Sequence, residues 1–232
     1  MRIAIIQFGG TNCDRDVLHV LKNVMNVDAE LVWFKDKNLD CFDGAVIPGG
    51  FSYGDYLRAG AIAARTPIMD SVRKMVSEGK PVIGICNGFQ VLTESGLLDG
   101  ALATNSYPKF LCKWTHLRVD NTDTPFTSRF EKGDVIQIPI AHKEGNFYAD
   151  QSAISDLNKN NQVVFRYVDE DGTADDESNP NGSKENIAGI INSSRNVIGL
   201  MPHPERASEK VLGSDDGLKI FQSMVDYIQT LQ

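Results

Sequence analysis

Cys86 lies in the sequence VIGICNGFQVL, between two apolar runs and flanked by Gly84 and Gly88. An apolar strand followed by Gly-x-Cys-x-Gly and an apolar helix is the pattern of a nucleophile elbow, with sulfur in place of a serine oxygen. Glycine would weaken a simple buried strand, so its presence here indicates a sharp turn. The turn presents sulfur at a helix N-terminus, where backbone amides favour the thiolate. We therefore predict that Cys86 attacks a carbonyl and that the backbone amide of Asn87 stabilises the resulting oxyanion.

Four cysteines occur in the chain, and the other three are weaker candidates. Cys13 also follows a strand pattern and precedes a helix pattern, but it lacks glycines on both sides. Cys41 and Cys112 have no special context, and we expect them to be packing residues. For Cys86 itself the alternative is a buried structural cysteine, a common role for this residue type. The wide spacing and the lack of a CxxC pair argue against a zinc site and a disulfide framework, and favour a reducing cytoplasm.

A thiolate that attacks a carbonyl needs a base, and His203 is the best placed of the four histidines. It ends an apolar strand pattern in MPHPER, where the two prolines stiffen the backbone. Glu205 lies two residues further on, so in an extended chain its carboxylate leans to the same side and can orient the imidazole. Zinc binding by this pair is a weaker alternative, because no nearby sequence supplies further ligands. His19 is expected in the first helix as a surface or boundary residue, and His116 is expected in a strand as a core residue.

A second oxyanion donor is expected from the loop PGGFSYGD, which directly follows the apolar run GAVI. Its glycines allow backbone amides to approach a ligand closely. A phosphate-binding loop is excluded, because the pattern G-x-x-x-x-G-K-[ST] is absent.

These segments need a scaffold, and the first half of the chain alternates strand and helix patterns. The strand patterns are RIAIIQF, AELVWF, GAVIP and PVIGI, and the helix patterns are DRDVLHVLKNVMN, IMDSVRKMVSEG and GFQVLTESG. Such alternation predicts a parallel sheet with right-handed crossovers, whose functional sites lie at the carboxyl ends of the strands.

The second half has five strand patterns and few helix patterns. The strand patterns are LCKWTHLRV, DVIQIPIAH, QVVFRYV, IAGIIN and VIGLMPH, with a turn at residues 193–196 and a polar loop over 169–186. The chain closes with an amphipathic helix in residues 216–232, whose apolar face runs through Leu218, Phe221, Val225, Ile228 and Leu231. We find no repeat, linker or boundary, so residues 1–232 are expected to form a single domain.

Charge and hydropathy exclude two classes of partner. The 232 residues carry a formal charge of -8, and the sequence pI is about 5.0. An acidic surface repels phosphate backbones, so nucleic acid is not expected to bind. No apolar run approaches the roughly 20 residues of a membrane span.

Taken together, the motifs resemble class I glutamine amidotransferases of the triad type. Within that class the chain is most similar to the glutaminase subunits of phosphoribosylformylglycinamidine synthase. GICNGFQ and the sequence PHPE mark the broad class. The more specific motifs are NCDRD and GGFSYGDYLRAG, with further similarity in AHKEGNF, NPNGS and GLMPHPER. The resemblance spans nearly the whole chain.

The resemblance implies a role for each matching residue. Cys86 matches the nucleophile, His203 the base and Glu205 its orienting acid. Gly50 and Asn87 match the positions whose amides form the oxyanion hole, and Gln90 matches a residue that helps to hold substrate glutamine. His142 and Glu144 fall in a family motif near the site, and we assign them no catalytic role.

The resemblance also implies a fold and partners. The fold is α/β, with an open, mostly parallel twisted sheet of the flavodoxin-like type, helices on both faces and antiparallel strands in the second half. The implied activity is hydrolysis of glutamine, with ammonia passed to a separate synthetase subunit that consumes ATP and Mg; a small third subunit is also implied. No cofactor or metal is expected in this chain. Two alternatives stay open, a freestanding cysteine hydrolase acting on γ-glutamyl amides and a non-catalytic scaffold of a biosynthetic complex.

Overall fold

A computed structural model describes residues 1–36 and 38–231 of the chain. It contains eleven strands, β1 to β11, at Arg2–Gln7, Asp28–Trp33, Gly44–Ile47, Val82–Ile85, Ala101–Ala103, Leu111–Val119, Val135–His142, Asn146–Tyr148, Val163–Val168, Ile187–Ile191 and Val197–Leu200. The five α-helices, α1 to α5, span Asp14–His19, Ile68–Ser77, Asn87–Glu94, Gln151–Lys159 and Leu218–Thr230.

Nine of the strands form one sheet in the order β2-β1-β3-β4-β11-β10-β9-β6-β7. The strands from β2 to β11 in this order pair in parallel, and those from β11 to β7 pair antiparallel. The parallel half is the α/β arrangement predicted from alternating strand and helix patterns, and the antiparallel half comes from the strand-rich second part of the chain. The predicted fold class is confirmed. The two remaining strands, β5 and β8, form a separate antiparallel pair.

The hydrophobic core lies around the central strands of the sheet. Every residue of β3, β4, β10 and β11 is buried, which matches the continuous apolar runs of their sequences. The buried hydrophobic residues from both halves of the sheet form a single connected cluster. The closing helix packs on it through Phe221, Val225 and Ile228, whereas Leu231 is 52% exposed and does not contribute. Gln232, the last residue of the predicted helix, lies outside the described residues.

Two local expectations need correction. The first helix is regular only over Asp14–His19 and continues as a wider-turn helix over Val20–Val24. The sequence analysis missed α4, because the strand patterns around it dominated the interpretation of this region. Asp150 caps the start of this helix, because its side chain accepts a 2.8 Å hydrogen bond from the amide of Ala153, and the helix buries Ile154 and Leu157.

The parallel half of the sheet brings the predicted site segments to one edge. β1 leads into Cys13, β3 into the glycine loop, β4 into Cys86 and β11 into His203, so all four segments follow the carboxyl ends of adjacent parallel strands. The longest helix has 13 residues, and in the described ranges no helix combines the length and apolarity needed to cross a bilayer.

Candidate active site

Cys86 occupies a strained turn between β4 and α3. Its backbone lies at φ 50° and ψ −103°, a combination that non-glycine residues rarely adopt. Both flanking glycines are required by close packing. A Cβ on Gly88 would lie 1.8 Å from the carbonyl oxygen of Ile47, and one on Gly84 would lie 2.7 Å from the carbonyl oxygen of Gly88. The structure therefore has the elbow geometry that the Gly-x-Cys-x-Gly pattern predicts.

The register of the sheet brings His203 to this elbow. β11 lies beside β4 in parallel register, with Leu200 opposite Ile85. Three residues beyond Leu200, the chain places His203, whose backbone amide donates a 2.8 Å hydrogen bond to the carbonyl of Pro139 in β7. Residues separated by more than a hundred positions thus meet because their strands are neighbours.

His203 and Glu205 form a buried pair. Nδ1 of His203 lies 2.6 Å from Oε1 of Glu205, and the two residues are 1% and 2% exposed. Burial alone would lower the pKa of His203, but the Glu205 carboxylate, and after it Cys86, hold that pKa well above its ordinary value. Because Nδ1 faces the carboxylate, Nε2 is the nitrogen left for proton transfer, and Nε2 has no hydrogen-bond partner among the described residues.

The predicted oxyanion donors are the backbone amides of Gly50 and Asn87. Neither amide donates a hydrogen bond to any described residue, so both are available to a ligand. Gly50 has φ +151°, and a Cβ there would lie 2.6 Å from the amide nitrogen of Asn12. At the neighbouring Gly49, a Cβ would lie 2.8 Å from Cε1 of His203. The loop therefore needs Gly49 to lie against the imidazole and Gly50 to lie against the backbone of residues 10–12.

A cavity of about 280 Å³ opens beside the Cys86 thiol. It is lined by the predicted residues Gly50, Cys86 and Gln90, by Asp55 of the glycine loop, and by the turn from Ala141 to Glu144 at the end of β7. Cys86 is 5% exposed, and its Sγ lies 3.7 Å from the carbonyl oxygen of Ala141. A small amide substrate in this cavity would contact the sulfur directly.

A chain of side-chain hydrogen bonds connects the three segments around the cavity. The amide of Ser52 donates to Oδ1 of Asn87 at 3.2 Å, and Nδ2 of Asn87 donates to Oε1 of Gln90 at 2.9 Å. Nε2 of Gln90 then donates to the carbonyl oxygen of Glu144 at 2.6 Å. Gln90 lies at the cavity as the resemblance implies, and one of its N–H groups stays free for a ligand.

His142 and Glu144 both line the cavity, and a residue that the sequence analysis missed holds His142 in place. Asn105 is 3% exposed, and its Nδ2 donates to the carbonyls of Lys109 and His142. Oδ1 of Asn105 must then be the acceptor, so Nδ1 of His142, at 3.1 Å, carries the proton. Burial, and after it the charge of His203, lowers the pKa of His142 to about 3, which keeps its ring neutral.

Cys13 lies behind the imidazole and not at the cavity. Its Sγ is 3.9 Å from Nδ1 of His203 and 3.1 Å from Nη2 of Arg206. Potential ligand atoms of Cys13, His203 and Glu205 lie within 4.8 Å of one another, so the structure supplies the third metal-type ligand that the local sequence lacked. However, the Arg206 cation at the sulfur and the His203–Glu205 hydrogen bond compete with a metal ion for this position.

Two expectations about the remaining cysteines were wrong. Cys41 and Cys112 are both exposed and free, whereas we expected them to be packing residues. Cys112 lies in β6 within a stretch of exposed residues. The strand pattern in the sequence did not indicate that this part of the strand faces solvent. His19 is exposed, as expected, and its Nε2 lies 2.7 Å from Oε1 of Glu209; His116 is half-buried in β6.

Comparison with known proteins identifies the family to which this geometry belongs. The sequence matches the family described as CobB/CobQ-like glutamine amidotransferase domain over residues 1–228. The chain is a glutamine amidotransferase of this family. This amidotransferase is 73% identical over 228 residues to phosphoribosylformylglycinamidine synthase subunit PurQ of Methanosarcina acetivorans, with 98% of each chain covered. The resemblance deduced from the motifs is confirmed.

Two further relatives, one compared by sequence and one by structure, support the same family assignment. The amidotransferase is 58% identical over 231 residues to the PurQ subunit of Methanocaldococcus jannaschii, with 100% of both chains covered. Its fold is similar to a chain in the structure of PurLQS from Thermotoga maritima, with a TM-score of 0.87, 48% identity and 98% of each chain covered. The sequence relatives thus match over essentially their full length and share one subunit name.

Proposed function

We propose that this chain is the glutaminase subunit of phosphoribosylformylglycinamidine synthase in purine biosynthesis, with Cys86, His203 and Glu205 as its catalytic triad. The observation that carries the triad assignment is the strained Cys86 elbow beside the His203–Glu205 pair, next to a cavity of about 280 Å³. The names of the full-length relatives carry the assignment of the reaction. Glutamine is the substrate, and its side-chain amide supplies ammonia.

The first half of the reaction forms a thioester. The Cys86 sulfur attacks the side-chain amide carbon of glutamine, and the carbonyl oxygen becomes an oxyanion. The backbone amides of Gly50 and Asn87 donate to that oxygen, and one such donor is worth roughly a hundredfold or more in rate. Protonated His203 gives its proton to the nitrogen of the tetrahedral intermediate. The carbon–nitrogen bond then breaks, releasing ammonia and leaving a glutamyl thioester on Cys86.

The second half releases the Cys86 sulfur from the thioester. His203, now neutral at Nε2, takes a proton from a water molecule, and the resulting hydroxide attacks the thioester carbonyl. The same two amides stabilise the second oxyanion. The carbon–sulfur bond breaks, glutamate leaves, and the imidazolium and thiolate are restored. Glu205 keeps the imidazole in one orientation throughout, because its carboxylate holds Nδ1.

The ammonia is used by a separate synthetase subunit. That subunit consumes ATP, with Mg, and converts formylglycinamide ribonucleotide to formylglycinamidine ribonucleotide, and a small third subunit completes the complex. The similar Thermotoga maritima structure is named PurLQS, which is consistent with a three-part assembly. We further infer that residues 1–232 act as one domain, since a single connected core underlies both halves of the sheet. Four free cysteines suit a cytoplasmic location.

Replacing Cys86 tests the proposal. In the reconstituted complex, Cys86→Ala should abolish synthesis from glutamine, while synthesis from added ammonia should continue. Cys41→Ala is the matched control, because it removes an exposed thiol that does not line the cavity, and it should leave both activities intact. Loss of both activities, or of neither, in Cys86→Ala would contradict the assignment.

Trapping experiments on the same complex distinguish the proposed function from two alternatives, a freestanding cysteine hydrolase and a non-catalytic scaffold. A freestanding hydrolase would form a thioester with γ-glutamyl peptides as readily as with glutamine, and mass spectrometry of the trapped adduct would detect this. A non-catalytic scaffold would form no adduct with either compound. The strained backbone at Cys86 favours an enzyme, because such strain is retained mainly at functional sites.

A further inference from the structure

The segment NCDRD takes no part in the reaction described above, although its cysteine lies against the His203–Glu205 pair. Cys13 is 2% exposed, and its Sγ lies 3.9 Å from Nδ1 of His203. The backbone amide of Cys13 donates a 3.1 Å hydrogen bond to the carbonyl oxygen of Gly49, which fixes the start of α1 behind the imidazole. Cys13 does not line the cavity beside the elbow. Any effect of this thiol on catalysis must therefore act through His203 or its partners.

The carboxylate of Glu205 has one oxygen that the described residues leave without a donor. Its Oε1 lies 2.6 Å from Nδ1 of His203, whereas its Oε2 is buried and has no hydrogen-bond partner within residues 1–36 and 38–231. A buried acceptor without a donor is costly, so a strong donor within reach would bind to Oε2. Such a donor would weaken the hold of Glu205 on the imidazole, because it would share the negative charge.

Arg206 is a strong donor close to this oxygen. It is half-buried and follows Glu205 directly in the chain. Burial lowers the pKa of Arg206, but the charges of Cys13 and Glu205 raise it above its ordinary value. An arginine and a carboxylate form a strong pair of parallel hydrogen bonds when the geometry allows it. Without another partner, the guanidinium would therefore compete with His203 for Glu205.

The sulfur of Cys13 is the partner that the guanidinium has instead. Nη2 of Arg206 donates to Sγ of Cys13 at 3.1 Å. The same sulfur lies within 4.8 Å of a carboxylate oxygen of Glu205, so the three groups are neighbours. Among the described residues, the ion pair of Glu205 is with His203. The hydrogen bond to sulfur thus occupies the arginine beside a carboxylate that the imidazole needs.

We propose that Cys13 is a positioning residue, whose sulfur holds the Arg206 guanidinium away from the free oxygen of Glu205 so that the carboxylate stays with His203. This inference rests on the proposed function, because it takes His203 as the base and Glu205 as its orienting acid. It gives the buried thiol of NCDRD a role in the reaction without any contact with the substrate.

A double-mutant cycle in the reconstituted complex tests the inference. Cys13→Ala removes the acceptor for Arg206, and Arg206→Met removes the competing cation while keeping a long side chain. The two single variants, the double variant and the wild type are compared by kcat and KM for glutamate release. Cys13→Ser, which keeps a hydroxyl acceptor, is the conservative variant. Cys41→Ala, which removes an exposed thiol, is the control.

We expect Cys13→Ala to lower kcat by about 5- to 20-fold, less than the loss expected when the carboxylate itself is removed. KM should change less than about twofold, because Cys13 lies outside the cavity. In the Arg206→Met background the same substitution should change kcat less than about twofold, since no cation remains to bind Glu205. Cys13→Ser should keep at least about half of the wild-type kcat, because its hydroxyl still accepts from Arg206. Cys41→Ala should leave kcat and KM unchanged.

The pH–rate profile distinguishes this role from simple packing. Burial lowers the pKa of His203, and Glu205, followed by Cys86 and Cys13, holds that pKa well above its ordinary value. The other charged or titratable groups near the ring are Arg206, Asp16 and His142. Capture of Glu205 by Arg206 should lower the pKa of His203. The alkaline limb of kcat should therefore move to lower pH in Cys13→Ala and move less in the double variant, whereas a packing defect would leave the limb in place.

The outcomes separate the positioning role from the proposed function. Ammonia-dependent synthesis by the same complexes shows that each variant is folded and assembled, and Cys13→Val replaces Cys13→Ala if alanine prevents assembly. The positioning role is wrong, while the glutaminase function stands, if Cys13→Ala lowers kcat equally in both backgrounds or in neither, or if Cys13→Ser is as slow as Cys13→Ala. If the wild-type complex releases no glutamate from glutamine, the proposed function fails, and the positioning role fails with it.

Discussion

The backbone amide of Cys86 donates a 2.8 Å hydrogen bond to the carbonyl oxygen of Leu200. This bond extends the parallel pairing of β4 and β11 by one residue beyond the end of β4. It couples the elbow to the strand that delivers His203, so the distance between nucleophile and base depends on the sheet and not on a loop. The Gly50 amide, by contrast, belongs to a loop with several strained residues. The proposed nucleophile and base are thus positioned by neighbouring strands, whereas one of the two proposed oxyanion donors is positioned by a loop.

The tight packing of the elbow predicts that one added methyl group, at Gly88, lowers both stability and activity. In Gly88→Ala the new Cβ would lie 1.8 Å from the carbonyl oxygen of Ile47, so α3 or β3 must shift. We expect a loss of about 1 to 3 kcal/mol in the free energy of unfolding, typical of overpacking, and loss of most glutaminase activity because Cys86 moves. Urea unfolding and glutamate release measure the two effects.

Gly9→Ala is the control for this variant, because nothing lies within 4 Å of a Cβ at that position. It should change stability by less than about 0.5 kcal/mol. A Gly88→Ala protein with wild-type stability and rate would show that the tight contact is unimportant.

The His203–Glu205 pair predicts a change in pH dependence. Glu205→Gln removes the carboxylate that raises the pKa of His203, so that pKa should fall, because burial then dominates. The loss of rate should be about a hundredfold or more. The alkaline limb of the pH–rate profile, where protonated His203 is lost, should move to lower pH. Glutamate release by the complex across the pH range measures both.

The same pair also predicts how stability depends on pH. A histidine with a raised folded pKa contributes stability that is complete below its unfolded pKa of about 6.5 and disappears as pH rises through the folded pKa. The stability that Glu205→Gln loses through this ion pair should therefore be largest below about pH 6.5 and shrink at alkaline pH. Glu209→Gln, which removes the exposed partner of His19, is the control and should show little change. A stability difference that grows with pH would contradict the assignment.

Asp55 should destabilise the free protein near neutral pH. Its folded pKa of about 6 exceeds the ordinary value of about 3.9, so folding favours the protonated form. Wild type should lose stability as pH rises from about 4 to 6, whereas Asp55→Asn should not. The half-buried carboxylate is partly screened, so the gain at pH 7 should be roughly 1 kcal/mol or less.

Thermal unfolding of the free chain at several pH values tests this expectation. The advantage of Asp55→Asn should be small near pH 4, increase up to about pH 6, and stay constant above it. Asp99→Asn, an exposed substitution, is the control. An advantage that is independent of pH would mean that the effect does not arise from the ionised carboxylate.

The position of the proposed oxyanion donor Gly50 in a loop predicts that activity depends on the partner subunits. Free hydrolysis wastes glutamine, and a complex that orders the loop around Gly50 would complete the hole. We therefore expect the isolated chain to release glutamate at least about tenfold more slowly than the assembled complex. Rates of glutamate release, measured on the same preparation with and without the partner subunits, test this prediction. Equal rates would exclude this form of regulation.

The sequence predicted those parts of the site that depend on local pattern. The Gly-x-Cys-x-Gly turn fixes the position of Cys86 because only glycines fit beside Ile47 and within the elbow. His203 and Glu205 are two residues apart, so their pairing is also local. The parallel half of the sheet followed from the alternation of strands and helices.

The parts that the sequence did not predict depend on long-range placement. Asp55 and Glu144 meet because the end of β7 returns to the glycine loop, and no periodicity encodes that approach. Asn105 acts on a histidine 37 positions away, and Cys13 reaches His203 from 190 positions away. The sequence pattern also did not indicate which side chains of β6 face solvent, so the prediction for Cys112 was wrong.

β11 enters the sheet between β4 and β10, although it is the last strand to be made. A ribosome therefore completes the thiol-bearing corner more than a hundred residues before it supplies the imidazole and carboxylate that activate it. A chain that ends before β11 contains the Cys86 sulfur but not the His203 imidazole. It also lacks the strand that lies between β4 and β10 in the sheet. We therefore expect reactivity towards glutamine to begin only once the growing chain extends beyond Glu205.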